Sequence, residues 1–141
     1  MEQHGFAFTK RTQEQLKNIP APARDQLFNN FIKPLLNGYL PEELRGKYKP
    51  DWEFQGTPSP MRQSFLELAK SKNIHHYHFG YKMYTDGRDE KFPGDVSDGI
   101  IHNRVEVSGD KARHVIIDIC LKHPSPFKTP SQLYDDKAVG F

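Results

Sequence analysis

Cysteine, tryptophan and long apolar runs are scarce in this sequence. Among 141 residues there is one cysteine, Cys120, and one tryptophan, Trp52, and 35% of the residues are hydrophobic. A single cysteine cannot close a disulfide within the chain or supply a four-cysteine zinc site. The apolar runs, such as Val115-Ile116-Ile117, are too short to cross a bilayer. The amino terminus lacks the basic and apolar regions of a secretory signal, so we expect a cytoplasmic protein that does not contact membranes.

Histidine, by contrast, is abundant. The formal net charge is +2 with histidine neutral, and the chain has seven histidines. Six of them fall between positions 75 and 123. Because an imidazole titrates near neutral pH, such a cluster suits proton transfer. The mildly basic charge permits contact with a polyanion. The length fits one domain, which we expect to span residues 1–141.

The hydrophobic periodicity predicts an α+β fold in which amino-terminal helices pack on a small antiparallel sheet. Helices are predicted at residues 11–18, 23–37 and 61–70, and strands at residues 5–9, 74–84, 101–107 and 113–122. Pro34 should kink the second helix or shift its frame. Ser108-Gly109-Asp110-Lys111 reads as a hairpin turn between the last two strands. Loops are expected at residues 41–60 and 85–99, and an extended tail at residues 123–141.

The alternation along the last three strands sorts their side chains into two faces. If the aliphatic and aromatic face packs on the helices, the polar face stays open to solvent. That open face would carry His76, His78, Lys82, Tyr84, His102, Arg104, Glu106, His114, Asp118 and Lys122. This concentration of imidazoles and cations is the main functional signal in the sequence.

Such a face suits RNA cleavage by attack of the 2′-hydroxyl on the neighbouring phosphate. His76, His78 and His102 could act as acid and base, because both forms of an imidazole coexist near pH 7. Arg104 and Lys122 could stabilise the charge that develops on the phosphate. Substrate contacts are expected from Lys82, Tyr84 and His123. This chemistry needs neither a metal nor a cofactor.

Two other interpretations use the same residues. A polar sheet face can be a solvated surface, or can bind RNA or protein without catalysis. Alternatively, the spacing His76-x-His78 puts two imidazoles on one strand face, and His102 or Asp118 could complete a metal site. The cations on that face oppose a divalent ion, so the metal-free interpretation is favoured.

A family resemblance adds to the residue pattern. Gly38-Tyr-Leu-Pro41 is followed by the basic segment Arg45-Gly-Lys47 and then by Trp52. Farther along come His76-Tyr-His78 and the apolar strand that runs from Ile116 into Leu121-Lys122-His123-Pro124. In order and spacing, from about Phe31 to Lys128, these motifs resemble the YafO type of toxin in the RelE/ParE superfamily.

The resemblance implies a RelE-like fold and an endoribonuclease toxin that cleaves mRNA, usually on the ribosome, and so inhibits translation. It also implies a cognate antitoxin protein as partner. His76, His78 and Lys122 are the site residues that carry over by position.

Overall fold

The computed structural model describes residues 3–54, 56–122 and 131–139. The helices are α1 (Lys10–Asn18), α2 (Ala21–Leu27), α3 (Lys33–Leu36) and α4 (Pro60–Ser71), and a π-helical turn, Phe28–Ile32, joins α2 to α3. The strands are β1 (Gln3–Thr9), β2 (Tyr48–Pro50), β3 (Ile74–His78), β4 (Ile100–Ser108), β5 (Lys111–Cys120) and β6 (Ala138–Val139). Short 3-10 turns cover Pro41–Glu43 and Ser131–Leu133. None of the described helices is both long and apolar enough to cross a bilayer.

The described strands form one six-stranded mixed sheet in the order β2-β3-β4-β5-β1-β6. Strands β3, β4 and β5 are antiparallel neighbours, as predicted, and the β4–β5 hairpin turns at Gly109 with φ of +62°. Strand β1 lies parallel to β5. The α+β class is therefore confirmed, whereas the expectation of a purely antiparallel sheet is wrong for β1.

Both faces of the sheet are covered. One face packs on α1–α3 through a core of Ala23, Leu27, Phe31, Leu35, Tyr77, Phe79, Ile101, Ile116 and Ile119. The other face has its own core of Ala7, Ala69, Ile74, Val115, Ile117, Leu133 and Tyr134, contributed partly by α4 and the carboxy-terminal segment. The prediction of an open polar face is wrong. The run Val115-Ile116-Ile117 agrees with this, because a strand segment that is apolar at consecutive positions is buried on both sides.

A β-bulge explains why His114 lies on the unexpected face. The pairing of β4 with β5 shifts between His102 and Asn103, so the alternation of side chains changes phase along β5. His114 was predicted to share a face with His102. It lies instead on the helix side, where its ring stacks on Phe6 and its Nδ1 donates to Asn103 Oδ1 at 2.8 Å.

Pro34 shifts the hydrogen-bonding frame of the predicted long helix, as expected. The nitrogen of Pro34 carries no hydrogen, so it cannot donate to the carbonyl of Asn30 in the usual helical pattern. The preceding turn is π-helical, with the N–H of Lys33 donating to Phe28 O. The hydroxyl of Tyr77 donates to Asn30 O at 3.2 Å and accepts from Gly46 N at 3.0 Å. A buried tyrosine of β3 thus supports both the interrupted helix and the loop that leads to β2.

Tyr77→Phe is expected to lower the free energy of unfolding by about 1–3 kcal/mol, because it removes a buried hydroxyl that serves both Asn30 O and Gly46 N–H. Urea unfolding monitored by circular dichroism measures the change. Tyr39→Phe is the matched control, because the Tyr39 side chain is exposed. A loss below about 0.5 kcal/mol for Tyr77→Phe, the range of ordinary surface substitutions, would contradict this role.

Candidate active site

Asp51 brings together histidines from two neighbouring strands. It directly follows β2, and its backbone N–H donates to Ile74 O at 2.9 Å. His76 on β3 and His102 on β4 face each other across the ladder. His76 Nδ1 lies 2.6 Å from Asp51 Oδ1, and His102 Nδ1 lies 2.8 Å from Asp51 Oδ2. One carboxylate therefore holds two imidazoles, one on each of its oxygens.

The charges of this cluster determine where its protons are. Burial alone would raise the pKa of Asp51, but attraction by His102 and His76 and their hydrogen bonds outweigh burial, so the pKa lies below its usual range. Burial is also the largest effect on His76, and it lowers the pKa of that imidazole despite Asp51. A neutral His76 beside an ionised Asp51 carries its proton on Nδ1, from which it donates to the carboxylate.

His78 is the next inward-pointing residue of β3. Its ring centroid lies 5.9 Å from that of His76, in an edge-to-face arrangement. Its Nδ1 lies 2.9 Å from Ser97 O and 3.1 Å from Ser97 N. Ser97 is itself fixed, because its hydroxyl accepts from Gly80 N and donates to Gly99 O. The loop between β3 and β4 thus fixes the orientation of the His78 ring.

A cavity of about 660 Å³ opens beside His78. The described residues that line it are Lys47, His78, Lys82, Met83, Thr85, Val96, Ser97 and Asp98. Lys47 is largely buried, and burial lowers the pKa of its ammonium group. Gly46 brings the Lys47 segment against β3, because a Cβ on Gly46 would lie 1.9 Å from His78 O. A histidine and two lysines therefore converge on one concave surface.

The structure brings together three of the predicted catalytic residues but buries them. His76, His78 and His102 lie on the same face, with exposed fractions of 7%, 2% and 0%. The predicted strand 74–84 ends at His78, so Lys82 and Tyr84 belong to the following loop. Lys82 is exposed at the cavity. Of these three histidines, His78 is the one found among the described residues that line the cavity.

Tyr84 does not offer the free ring that base stacking was expected to use. Its hydroxyl donates to His78 O at 3.1 Å, and the guanidinium of Arg45 lies over its ring at 4.6 Å from the centroid. Burial is the main reason that the pKa of Tyr84 is raised. The residue fixes the loop against β3.

Arg104 also differs from the expectation of a solvent-facing phosphate ligand. Its Nη1 donates to Tyr134 O at 2.7 Å and to Asp136 O at 2.8 Å, and its Nε donates to Glu106. It therefore anchors the carboxy-terminal segment. Lys122 is exposed beyond the end of β5 and is not among the described residues that line the cavity. The predicted substrate residue His123 lies outside the described residues.

Sequence reasoning missed three contributors to this site. Asp51 and Lys47 lie in the proline-rich loop 41–60, where no periodicity indicates which side chains point inward. Ser97 lies in the glycine- and aspartate-rich loop 85–99. The one available signal was Trp52, the neighbour of Asp51, whose apolar ring favours an ordered loop packed on the protein.

No family model, curated protein or solved structure matches this chain. The likeness to RelE-type toxins rests on the motifs and on the order of the elements.

Stability is expected to fall as the pH is lowered from 7 to 5. Burial lowers the pKa of His75, His76 and His114 in the folded state, that of His114 to about 3. The unfolded chain regains values near 6.5, so below that pH it binds protons that the folded protein does not, and unfolding is favoured. His114 alone accounts for roughly 2 kcal/mol over this interval.

Urea unfolding at pH 7 and pH 5 measures this difference. His114→Asn keeps a donor for Asn103 Oδ1 but cannot titrate, so it should remove about 2 kcal/mol of the pH-dependent loss. The same free energy at both pH values, or an unchanged difference in His114→Asn, would show that these imidazoles do not titrate as buried groups.

Proposed function

We propose that this protein is a metal-independent endoribonuclease that cleaves RNA by attack of the 2′-hydroxyl. The observation that carries the proposal is the cavity of about 660 Å³ in which His78 meets Lys47 and Lys82. The reaction needs a base for the 2′-proton, an acid for the departing 5′-oxygen and positive charge beside the phosphate. This set of side chains can supply all three, with no cofactor.

His78 is suited to proton transfer because the backbone of Ser97 can hold its ring in one orientation in both charge states. When the neutral ring carries its proton on Nδ1, that N–H donates to Ser97 O. The same hydrogen bond remains when Nε2 takes up the proton of the 2′-hydroxyl and the ring becomes charged. The imidazole can therefore change charge without reorientation, which favours it as the group that exchanges a proton with the 2′-hydroxyl.

Lys47 and Lys82 supply the positive charge. Burial lowers the pKa of Lys47, which makes its ammonium group a better proton donor than an exposed lysine. We assign Lys47 the role of acid toward the 5′-oxygen and exposed Lys82 the role of phosphate contact. The 2′-oxygen forms a bond to phosphorus as the bond to the 5′-oxygen breaks. The products are a 2′,3′-cyclic phosphate and a 5′-hydroxyl.

The cluster of Asp51, His76 and His102 lies behind His78, and we assign it a positioning role. His76 contacts the His78 ring edge-to-face and is itself held by Asp51. This assignment moves the proton-transfer roles of His76 and His102 to His78 and Lys47, because His78 and Lys47 line the cavity and His76 and His102 are not among the described residues that do.

The biological setting of the proposal follows the resemblance to RelE-type toxins. The α+β architecture, with amino-terminal helices on a sheet that includes the β3–β5 meander, is compatible with a RelE-like fold. On this proposal residues 1–141 form a single cytoplasmic toxin domain. Its substrate is mRNA on the ribosome, and a cognate antitoxin protein neutralises it.

The purified protein is expected to cleave single-stranded RNA, and His78→Gln should lower the rate at least about a hundredfold, the usual contribution of a proton-transferring side chain. Lys47→Met should also lower the rate. Steady-state cleavage of a labelled RNA, with or without ribosomes, measures both effects. His75→Gln, on the opposite face of the same strand, and Lys33→Ala, on an exposed helix surface, are the matched controls.

Three further arms of the same assay test the reaction class. Activity should survive millimolar EDTA, should fail on DNA, and should fail on RNA that carries a 2′-O-methyl group at the cleaved position. Tight RNA binding without cleavage would point to a non-catalytic binding module. Loss of cleavage in EDTA, or cleavage of the methylated substrate, would point to a metal-activated water.

A further inference from the structure

Next to His78 lies a cluster of two imidazoles and one carboxylate, which are ligands that transition metals prefer. Asp51, His76 and His102 each offer a ligand atom, and these atoms all lie within 4.8 Å of one another. Two imidazole nitrogens and one carboxylate oxygen are typical ligands of Zn²⁺, Co²⁺ and Fe²⁺. Mg²⁺ and Ca²⁺ prefer oxygen ligands alone, so the donor set also discriminates between ions.

The backbone holds these donors in place. His76 and His102 form a directly opposed pair on β3 and β4, and their ring centroids lie 5.8 Å apart. Asp51 is fixed to the same sheet by its N–H bond to Ile74 O. The side chains of Asp51, His76 and His102 are 7%, 9% and 0% exposed, so few waters compete for the ligand atoms. A preformed, buried site of this kind saves the ordering cost that weakens sites on flexible loops.

Both Nδ1 atoms already point at the carboxylate, at 2.6 and 2.8 Å. A cation bound between the two Nδ1 atoms and the Asp51 carboxylate would replace the two protons that now form these hydrogen bonds. Each neutral imidazole would bind through the Nδ1 lone pair and carry its proton on Nε2 instead, so no net proton release is required from a neutral ring. Zn–N and Zn–O bonds of roughly 2.0–2.2 Å require the donors to separate slightly.

Lys47 is a positive charge that would repel a bound cation, and Asp89 partly neutralises it. Lys47 repels positive charge at His76, but its Nζ lies 3.8 Å from Asp89 Oδ2, and Lys49 lies 2.9 Å from the same oxygen. The negative charge of Asp51 lies directly on the two imidazoles. The carboxylates of Asp51 and Asp89 therefore offset much of the repulsion that Lys47 and Lys49 would exert on a divalent ion at Asp51.

We propose that Asp51, His76 and His102 form a binding site for one divalent transition-metal ion of the Zn²⁺ or Co²⁺ class. The ion would join the end of β2 to β3 and β4 and so stiffen the layer behind the cavity. The proposed RNA cleavage uses His78 and Lys47 and requires no ion, so metal binding and cleavage are separate properties.

The test uses the untagged full-length chain, freed of metal by a chelator and then dialysed. Titration with Co²⁺ should give the visible absorption bands of a protein-bound ion, saturate at one ion per chain and be reversed by Zn²⁺. Zn²⁺ should raise Tm, whereas Mg²⁺ at the same concentration should not. Absence of bands and of a Tm shift would overturn the proposal.

Variants identify the ligands. Asp51→Asn and His102→Gln should each weaken Co²⁺ binding at least about a hundredfold, since loss of even a supporting residue typically costs 10–100-fold in metal affinity. His75→Gln, on the same strand as His76 but on the other face, should bind as wild type does. Equal affinity in all variants would mean that the ion binds elsewhere and would overturn the assignment.

A measurement on the wild type covers the case in which a variant does not fold. In ¹H–¹⁵N spectra of the imidazole rings, Zn²⁺ should shift the signals of His76 and His102 and leave those of His75 and His114 unchanged. Shifts confined to other histidines would overturn the proposal. Because none of these readouts uses RNA, failure here is distinguishable from failure of the proposed ribonuclease activity.

Discussion

A carboxylate buried between two imidazoles joins the three strands on which the candidate site is built. Removing an ionised carboxylate from water is costly unless charge-assisted hydrogen bonds replace its hydration. Asp51 accepts such bonds from His76 on β3 and from His102 on β4, and its own backbone binds the end of β3. This interaction adds to the backbone pairing of β2 with β3, which places the loop that carries Lys47 at the sheet edge.

Coverage of both sheet faces explains why His76, His78 and His102 are buried. Helices α1–α3 occupy one face, and α4 with the carboxy-terminal segment occupies the other. Arg104 fastens that segment through Tyr134 O and Asp136 O. Among the described residues, His78 lines the cavity of about 660 Å³, and the loop between β3 and β4 supplies part of the cavity wall.

Much of the fold could be predicted from the sequence because its signals are local. The meander of β3, β4 and β5 followed from alternation, the hairpin from Gly109, and the shift of helical frame before Pro34 from that proline. The shared face of His76, His78 and His102 also followed from alternation. Features that depend on contacts between distant parts of the chain could not be predicted from such local patterns. The bulge at His102 reversed the side of His114, and the parallel docking of β1 depends on pairing across about a hundred residues.

The same distinction applies to the site. The histidines were found because a strand repeats every two residues, whereas Asp51, Lys47 and Ser97 lie in irregular loops whose inward-facing positions have no period. Arg104 was assigned to the correct face, but its partners come from a segment that no pattern connects to β4. Burial was misjudged because the sequence does not reveal that α4 and residues 131–139 cover the polar face.

RNA ends mapped in living cells test the central claim most directly. Induced expression of the wild-type chain in a bacterial host should arrest growth and generate RNA with 5′-hydroxyl and 2′,3′-cyclic phosphate ends. His78→Gln, expressed to the same soluble level, should allow growth and leave those ends at the background level. Normal growth with soluble wild-type protein, or the same arrest and the same ends from His78→Gln, would contradict the assignment of RNA cleavage to the cavity at His78.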